Sequence, residues 1–161
     1  MNQLKNYVVP FFQHLKLERN LSENTIVSYR NDIERLFRYY PKKTEITSDD
    51  LIHFIQFLAD LGLCANSLSR NISTFKTFFT FLKKESIIEE SPADFLHKPK
   101  TIKSLPEVFT IPEIEKILNL IRLDDWKGIR DRALLETMYG AGLRVSEAIT
   151  LKNDQLFLNR D

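Results

Sequence analysis

The sequence predicts a mainly α protein in two parts, and three observations predict it. Apolar residues recur every three or four positions in four successive segments between residues 3 and 84, the period of a helix with one buried face. Cap-forming residues, prolines and glycines punctuate those segments where helices start and stop. The periodicity then fails from Ser91 to Phe109, with prolines at 92, 99 and 106, before helical spacing resumes.

The first segment, about Gln3 to Leu17, carries Leu4, Tyr7, Val8, Phe11, Phe12 and Leu15 at helical spacing, and Pro10 marks a kink or a boundary within it. Ser22 is placed to cap a second helix, whose face Ile26, Tyr29, Ile33, Leu36, Phe37 and Tyr40 stops at Pro41. A third begins at Thr47 with Asp50 as its capping-box partner, runs through Leu51, Ile52, Phe54, Ile55 and Leu58, and ends at Gly62. For the fourth, Asn66 or Ser67 serves as cap and Leu68, Ile72, Phe75, Phe79 and Leu82 form one apolar stripe. Four amphipathic helices with short links make a bundle.

The proline-bearing stretch reads as a linker, with Lys98, Lys100 and Lys103 spaced to track phosphates along an extended chain or simply to solvate it. Thr110-Ile111-Pro112-Glu113 then opens a helix with Ile114, Ile117, Leu118 and Ile121 on one face. Another, about Gly128 to Tyr139, carries Ile129, Ala133, Leu134, Leu135 and Met138 and is expected to end at Gly140, with Trp126 in the core. Asp154-Gln155-Leu156-Phe157-Leu158 reads as the entry to a strand, which makes the second part α+β. The expected divisions are therefore residues 1–88, a linker at 89–108, and 109–161.

Composition narrows the function classes. No apolar run reaches the roughly 18 residues that span a bilayer and the first residues lack a signal-peptide core, so a cytoplasmic protein with no membrane partner is expected. Cys64 stands alone in an apolar stretch, which points to a buried structural cysteine and supports neither a disulfide framework nor a metal cluster. A net charge of +1 is small for a nucleic-acid binder, yet from Leu61 to Lys84 there is no acid at all, while Arg70, Lys76, Lys83 and Lys84 are present.

Projected at 100° per residue, the fourth helix turns Arg70, Ser73, Thr77, Thr80 and Lys84 away from its apolar stripe. The second helix turns out Asn24, Ser28, Asn31, Arg35 and Arg38, and Asn and Arg are the side chains that pair bidentately with adenine and guanine in a major groove. Polar outer faces are also what any soluble helix presents. The densest motif lies further on, in Tyr139-Gly140-Ala141-Gly142-Leu143-Arg144-Val145-Ser146-Glu147. An arginine between a two-glycine turn and a short apolar helix can clamp a phosphate with its planar fork, while the bland reading is a surface ion pair with Glu147.

Gly142-Leu143-Arg144-x-Ser146-Glu147, the approach through Arg130-Asp131-Arg132-Ala133-Leu134-Leu135, and the echoes Ser22-Glu23-Asn24-Thr25-Ile26-x-x-Tyr29 and Leu68-Ser69-Arg70-x-x-Ser73-Thr74-Phe75-Lys76-x-Phe78-Phe79 resemble the tyrosine recombinases, specifically their Xer-type and phage-integrase-like members. The resemblance implies a four-helix SAM-like core-binding domain followed by the start of a catalytic domain. It implies Arg144 as the first catalytic arginine with Glu147 supporting it. It also implies DNA contacts from Asn24, Thr25, Ser28, Arg35, Arg70, Ser73, Lys76, Thr77, Lys84, Lys100 and Lys103. The implied chemistry is strand exchange through a 3′-phosphotyrosyl link, with no metal and no other cofactor. The implied partners are double-stranded DNA with a palindromic recombination site and identical or related recombinase subunits in a tetramer, with a septal DNA translocase as a further candidate.

The family's later lysine, His-x-x-Arg box and nucleophilic tyrosine belong downstream of Arg144, whereas His14, His53, His97 and the last tyrosine, Tyr139, all precede it. The expectation is the N-terminal part of a longer recombinase that binds DNA without its own nucleophile. The Xer-type role would be chromosome-dimer resolution. The alternatives are an integrase or invertase of a mobile element, a non-catalytic DNA-binding or dimerising module, and a helical protein-interaction domain.

Overall fold

A computed structural model describes residues 3–100 and 107–155, and among them every regular element is helical. A 3₁₀ turn, Gln3–Tyr7, leads into α1, Val8–Leu17, followed by α2, Glu23–Tyr39, α3, Ser48–Asp60, and α4, Ala65–Lys84. Further along lie α5, Ile111–Leu120, α6, Trp126–Ala141, and α7, Val145–Thr150, with a last 3₁₀ turn at Asn153–Gln155. The chain divides into two compact units, Met1–Lys103 and Ser104–Asp161.

Local chemistry accounts for the helix limits. Pro10 sits in the first turn of α1, where its missing N–H has no partner to lose, so it marks a boundary and not a kink. Ser22 accepts from the Thr25 amide at 3.3 Å, and Thr47 and Asp50 form a complete capping box. The C-terminus of α3 closes in a Schellman motif: Gly62 takes φ +84°, the Leu63 amide donates to the Leu58 carbonyl, and the Gly62 amide donates to Ala59. The cap of α4 is Cys64, two or three residues ahead of the expected Asn66 or Ser67, and its thiol is exposed rather than buried. The Ser67 hydroxyl, 3.3 Å away, and the free amides of the helix start hold that thiol below its usual pKa.

The core of the first unit is organised around α4. Phe78 meets Phe11 of α1 edge-on at 5.1 Å between ring centroids and Phe37 of α2 at 6.2 Å, while Phe75 lies 5.9 Å from Phe54 of α3. A helix with neighbours on several sides buries more than one stripe, so Asn71, Thr74, Phe78 and Phe81 join the five apolar residues that the spacing picked out. The expected linker at 89–108 contributes as well, since Ala93 and Leu96 are buried in this same cluster. Lys103 and residues 156–158 of the expected strand lie outside the described residues, and Asp154 and Gln155 belong to the final 3₁₀ turn.

In the second unit no described side chain is buried. Trp126, expected in the core, is 65% exposed at the start of α6, because the described helices enclose no interior. Its ring instead carries the Arg130 guanidinium at 5.1 Å. The α6 helix runs through Gly140 to Ala141, and the residue that stops it is Gly142.

The end of α4 repeats the Schellman pattern with a serine in the glycine position. Ser86 takes φ +57°, with Ser86 N–H donating to Lys83 and Ile87 N–H to Leu82. An L side chain in the left-handed region is strained by roughly 1–2 kcal/mol. Ser86→Gly is therefore expected to stabilise the first unit by about 0.5–1 kcal/mol, after the entropy that glycine loses on folding. Urea denaturation reads this directly, and a lower midpoint for the variant would contradict it.

Candidate nucleic-acid interface and phosphate clamp

Two groups of residues carry the sequence-derived expectations, one on α2 and α4 and one at the α6–α7 turn. On α4 the hydroxyls follow from helix geometry: Ser73 donates to the Ser69 carbonyl at 2.9 Å and Thr77 to Ser73 at 2.7 Å, each one turn back. Asn24 and Arg35 of α2 are exposed, while Thr25 and Ser28 are half-buried, and the Thr25 hydroxyl is engaged with that of Ser22 at 2.9 Å. Lys76 reaches the Asp94 carbonyl at 3.4 Å, Lys84 lies 3.4 Å from Glu18, and Lys100 is exposed.

Arg70 does not stand clear of the fold. One of its terminal nitrogens, Nη1, bonds both the carboxylate of Asp32 and the Ser28 carbonyl, the latter at 3.1 Å, and so ties α4 to α2. Asp32 itself is 0% exposed. Its Oδ2 also accepts from the Thr74 hydroxyl at 2.9 Å, whereas its Oδ1 has no hydrogen-bond partner. Burial pushes the Asp32 carboxyl above its usual pKa, against the opposing pull of Thr74, Arg70 and the nearby Arg35.

The sequence reading missed Asp32, although a signal was available. Asp32 is three residues after Tyr29 and four before Leu36, which places an acid on the apolar face of α2. An acid there needs a cation or a hydrogen-bond donor from a neighbouring helix, or it is pushed toward its neutral form. The acid-free stretch on α4 is likewise less basic in space than along the chain, because Asp32 of α2 and Glu18 at the end of α1 supply carboxylates to Arg70 and Lys84.

The α6–α7 turn is built by Gly142. With φ +64° it takes the left-handed conformation that ends α6, and the Leu143 amide closes back on the Met138 carbonyl at 3.1 Å. Arg144 follows as the N-cap of α7. The Glu147 carboxylate accepts from the Arg144 backbone amide at 2.7 Å and from its guanidinium Nη1 at 2.9 Å. Those bonds, the backbone amide first, hold the Glu147 pKa below the usual carboxylate range. Glu147 is thus an ionised acceptor bonded to both the backbone and the guanidinium of Arg144, whose side chain remains 82% exposed.

The family model for the phage integrase, N-terminal SAM-like domain, matches residues 8–86, the segment that contains α1 to α4. Tyrosine recombinase XerC of Oceanobacillus iheyensis is 36% identical over 157 residues, covering 94% of this chain and 52% of the relative. Tyrosine recombinase XerC of Bacillus subtilis is 33% identical over 99% of this chain and 55% of its own length, and tyrosine recombinase XerD of Chlorobaculum tepidum is 37% identical over 92% and 51%. The chain is homologous to the Xer tyrosine recombinases over nearly its whole length, and it spans about half the length of the curated relatives it matches. The pair of buried Asp32 and half-buried Arg70 lies within the matched segment, while Arg144 lies beyond it. Among the described residues no helix is long and apolar enough to cross a membrane.

The raised pKa of Asp32 has a signed consequence for stability. The folded state binds this proton more tightly than the unfolded chain, so the stability contributed by the group is full below the ordinary carboxylate range and falls as pH rises through the shifted pKa. Urea melts of the wild type and Asp32→Asn, compared across acidic pH, should show the wild type gaining relative stability as pH is lowered through that window. A relative loss would mean that the pairing with Arg70 outweighs burial.

Proposed function

We propose that the chain is the DNA-binding and arginine-bearing part of a site-specific tyrosine recombinase. The observation that carries this reading is Arg144 itself, preorganised by Glu147 at the start of α7 behind a left-handed glycine and exposed to solvent, in a chain homologous to the Xer recombinases. The outer faces of α2 and α4 contact double-stranded DNA through Asn24, Thr25, Ser28, Arg35, Arg70, Ser73, Lys76, Thr77 and Lys84, with Lys100 and Lys103 adding charge beyond them. Arg144 clamps the phosphate at which the strand is cut. The complete enzyme acts as a tetramer of identical or related subunits on a palindromic site, and chromosome-dimer resolution is the role that the Xer-type sequence resemblance implies.

Chemically, the guanidinium offers charge-assisted donors to the phosphoryl oxygens as negative charge builds on them, and the fixed orientation lowers the reorganisation needed at that moment. In a polypeptide that carries the complete catalytic domain, Arg144→Ala should slow cleavage of a suicide substrate by about a hundredfold, roughly 3 kcal/mol. Unchanged cleavage would remove Arg144 from the chemistry.

For the 161-residue chain, a salt titration against a palindromic recombination-type duplex and a scrambled duplex of equal composition tests the DNA reading. Affinity should fall steeply and log-linearly with salt and be greater for the palindrome. Equal binding to both would leave contact without specificity, and no binding at low salt would favour a protein-interaction domain instead.

A further inference from the structure

The Asp32–Arg70 pair is not explained by stability alone. Burying a carboxylate against a partner cation usually returns little net stabilisation, and here one carboxylate oxygen, Oδ1, is left without a partner. The arrangement does constrain the arginine. Both protons of Nη1 are committed, one to Asp32 Oδ2 and one to the Ser28 carbonyl. No protein hydrogen bond engages Nε or Nη2 among the described residues. The side chain is 38% exposed although its Asp32 partner is fully buried, so the buried end of the fork is the one that Asp32 holds. An arginine fork has two usable edges, and a carboxylate that grips one end leaves the other at a fixed angle.

We propose that Asp32 is a positioning residue for DNA binding: from within the bundle it holds Arg70 so that the Nε–Nη2 edge takes a backbone phosphate of the duplex. This rests on the reading that the α2 and α4 faces contact DNA. Thr74 sets the carboxylate, and Ser28 completes the grip on Nη1. The partner is a phosphodiester, so the contact adds affinity and registers the domain on the duplex without selecting a base.

Simple electrostatics and positioning predict opposite signs. Removing a negative charge near DNA should tighten binding, whereas releasing Arg70 should weaken it. Fluorescence anisotropy with a labelled random-sequence duplex of about 28 base pairs, long enough for several helical turns, reads the difference across a potassium chloride series. Arg70→Ala should weaken binding about five- to tenfold and lower the salt slope by about one. Asp32→Asn should weaken binding by about threefold or more, yet change it less than about twofold in the Arg70→Ala background, because the two act through one contact. Arg70→Lys keeps the charge and its pairing with Asp32 but lacks the second edge, so it should bind nearly as weakly as Arg70→Ala.

Tighter or equal binding by Asp32→Asn, or an equal loss in both backgrounds, overturns the proposal while leaving DNA binding intact. Absence of salt-dependent binding by the wild type overturns the DNA reading itself. Helical circular dichroism accompanies each variant. If Asp32→Asn fails to fold, Arg70→Lys decides alone: wild-type affinity for a folded Arg70→Lys chain overturns the proposal.

Discussion

The burial of the aromatic face of α4 is the constraint on which the first unit depends. Each of the other helices brings a ring or an aliphatic side chain against Phe75, Phe78, Phe79 or Leu82, and the turn at Ala93 and Leu96 closes over the same cluster. Apolar burial has no direction, but interlocked rings do, and they set where α1, α2 and α3 lie around the central helix. With α4 enclosed on its core side, its remaining surface is narrow and its position is determined. That is the condition for a helix face to present side chains to a regular partner such as a duplex.

Polar groups inside this packing divide into two kinds. At the helix ends, Ser22 and the Thr47–Asp50 pair satisfy amides that would otherwise be orphaned, and Asp50 gains enough from Lys43 and Thr47 to offset its partial burial, so its pKa is lowered. In the middle of the bundle, Asp32 has bonds from Thr74 and Arg70 and still titrates upward. The first kind is a local solution available to any helix. The second exists only when two particular helices meet.

That division explains what could be read from the sequence. The caps of α2, α3 and α5, the glycine after α3 and the Gly142-Leu143-Arg144 turn are encoded within a few residues, and each stands out in the chain as written. The breadth of the α4 core face is not local, because it depends on how many neighbours surround the helix. The Asp32–Arg70 bond joins positions 38 residues apart and was hidden while Arg70 was assigned only by its own helix's periodicity. Trp126 and Cys64 were misread for a related reason: residue type favours burial for both, but neither sits where described elements enclose it.

The back-bonded hydroxyls on α4 alter what its outer face can offer. With the protons of Ser73 and Thr77 directed at helix carbonyls, the outward oxygens present lone pairs rather than donors. Such a surface looks hydrophilic in the sequence but is proton-poor in space. Set against the oxygens of a polyanion, it brings acceptor to acceptor until a hydroxyl rotates out of its back-bond, so attraction at close range falls first to the few cations set among the hydroxyls.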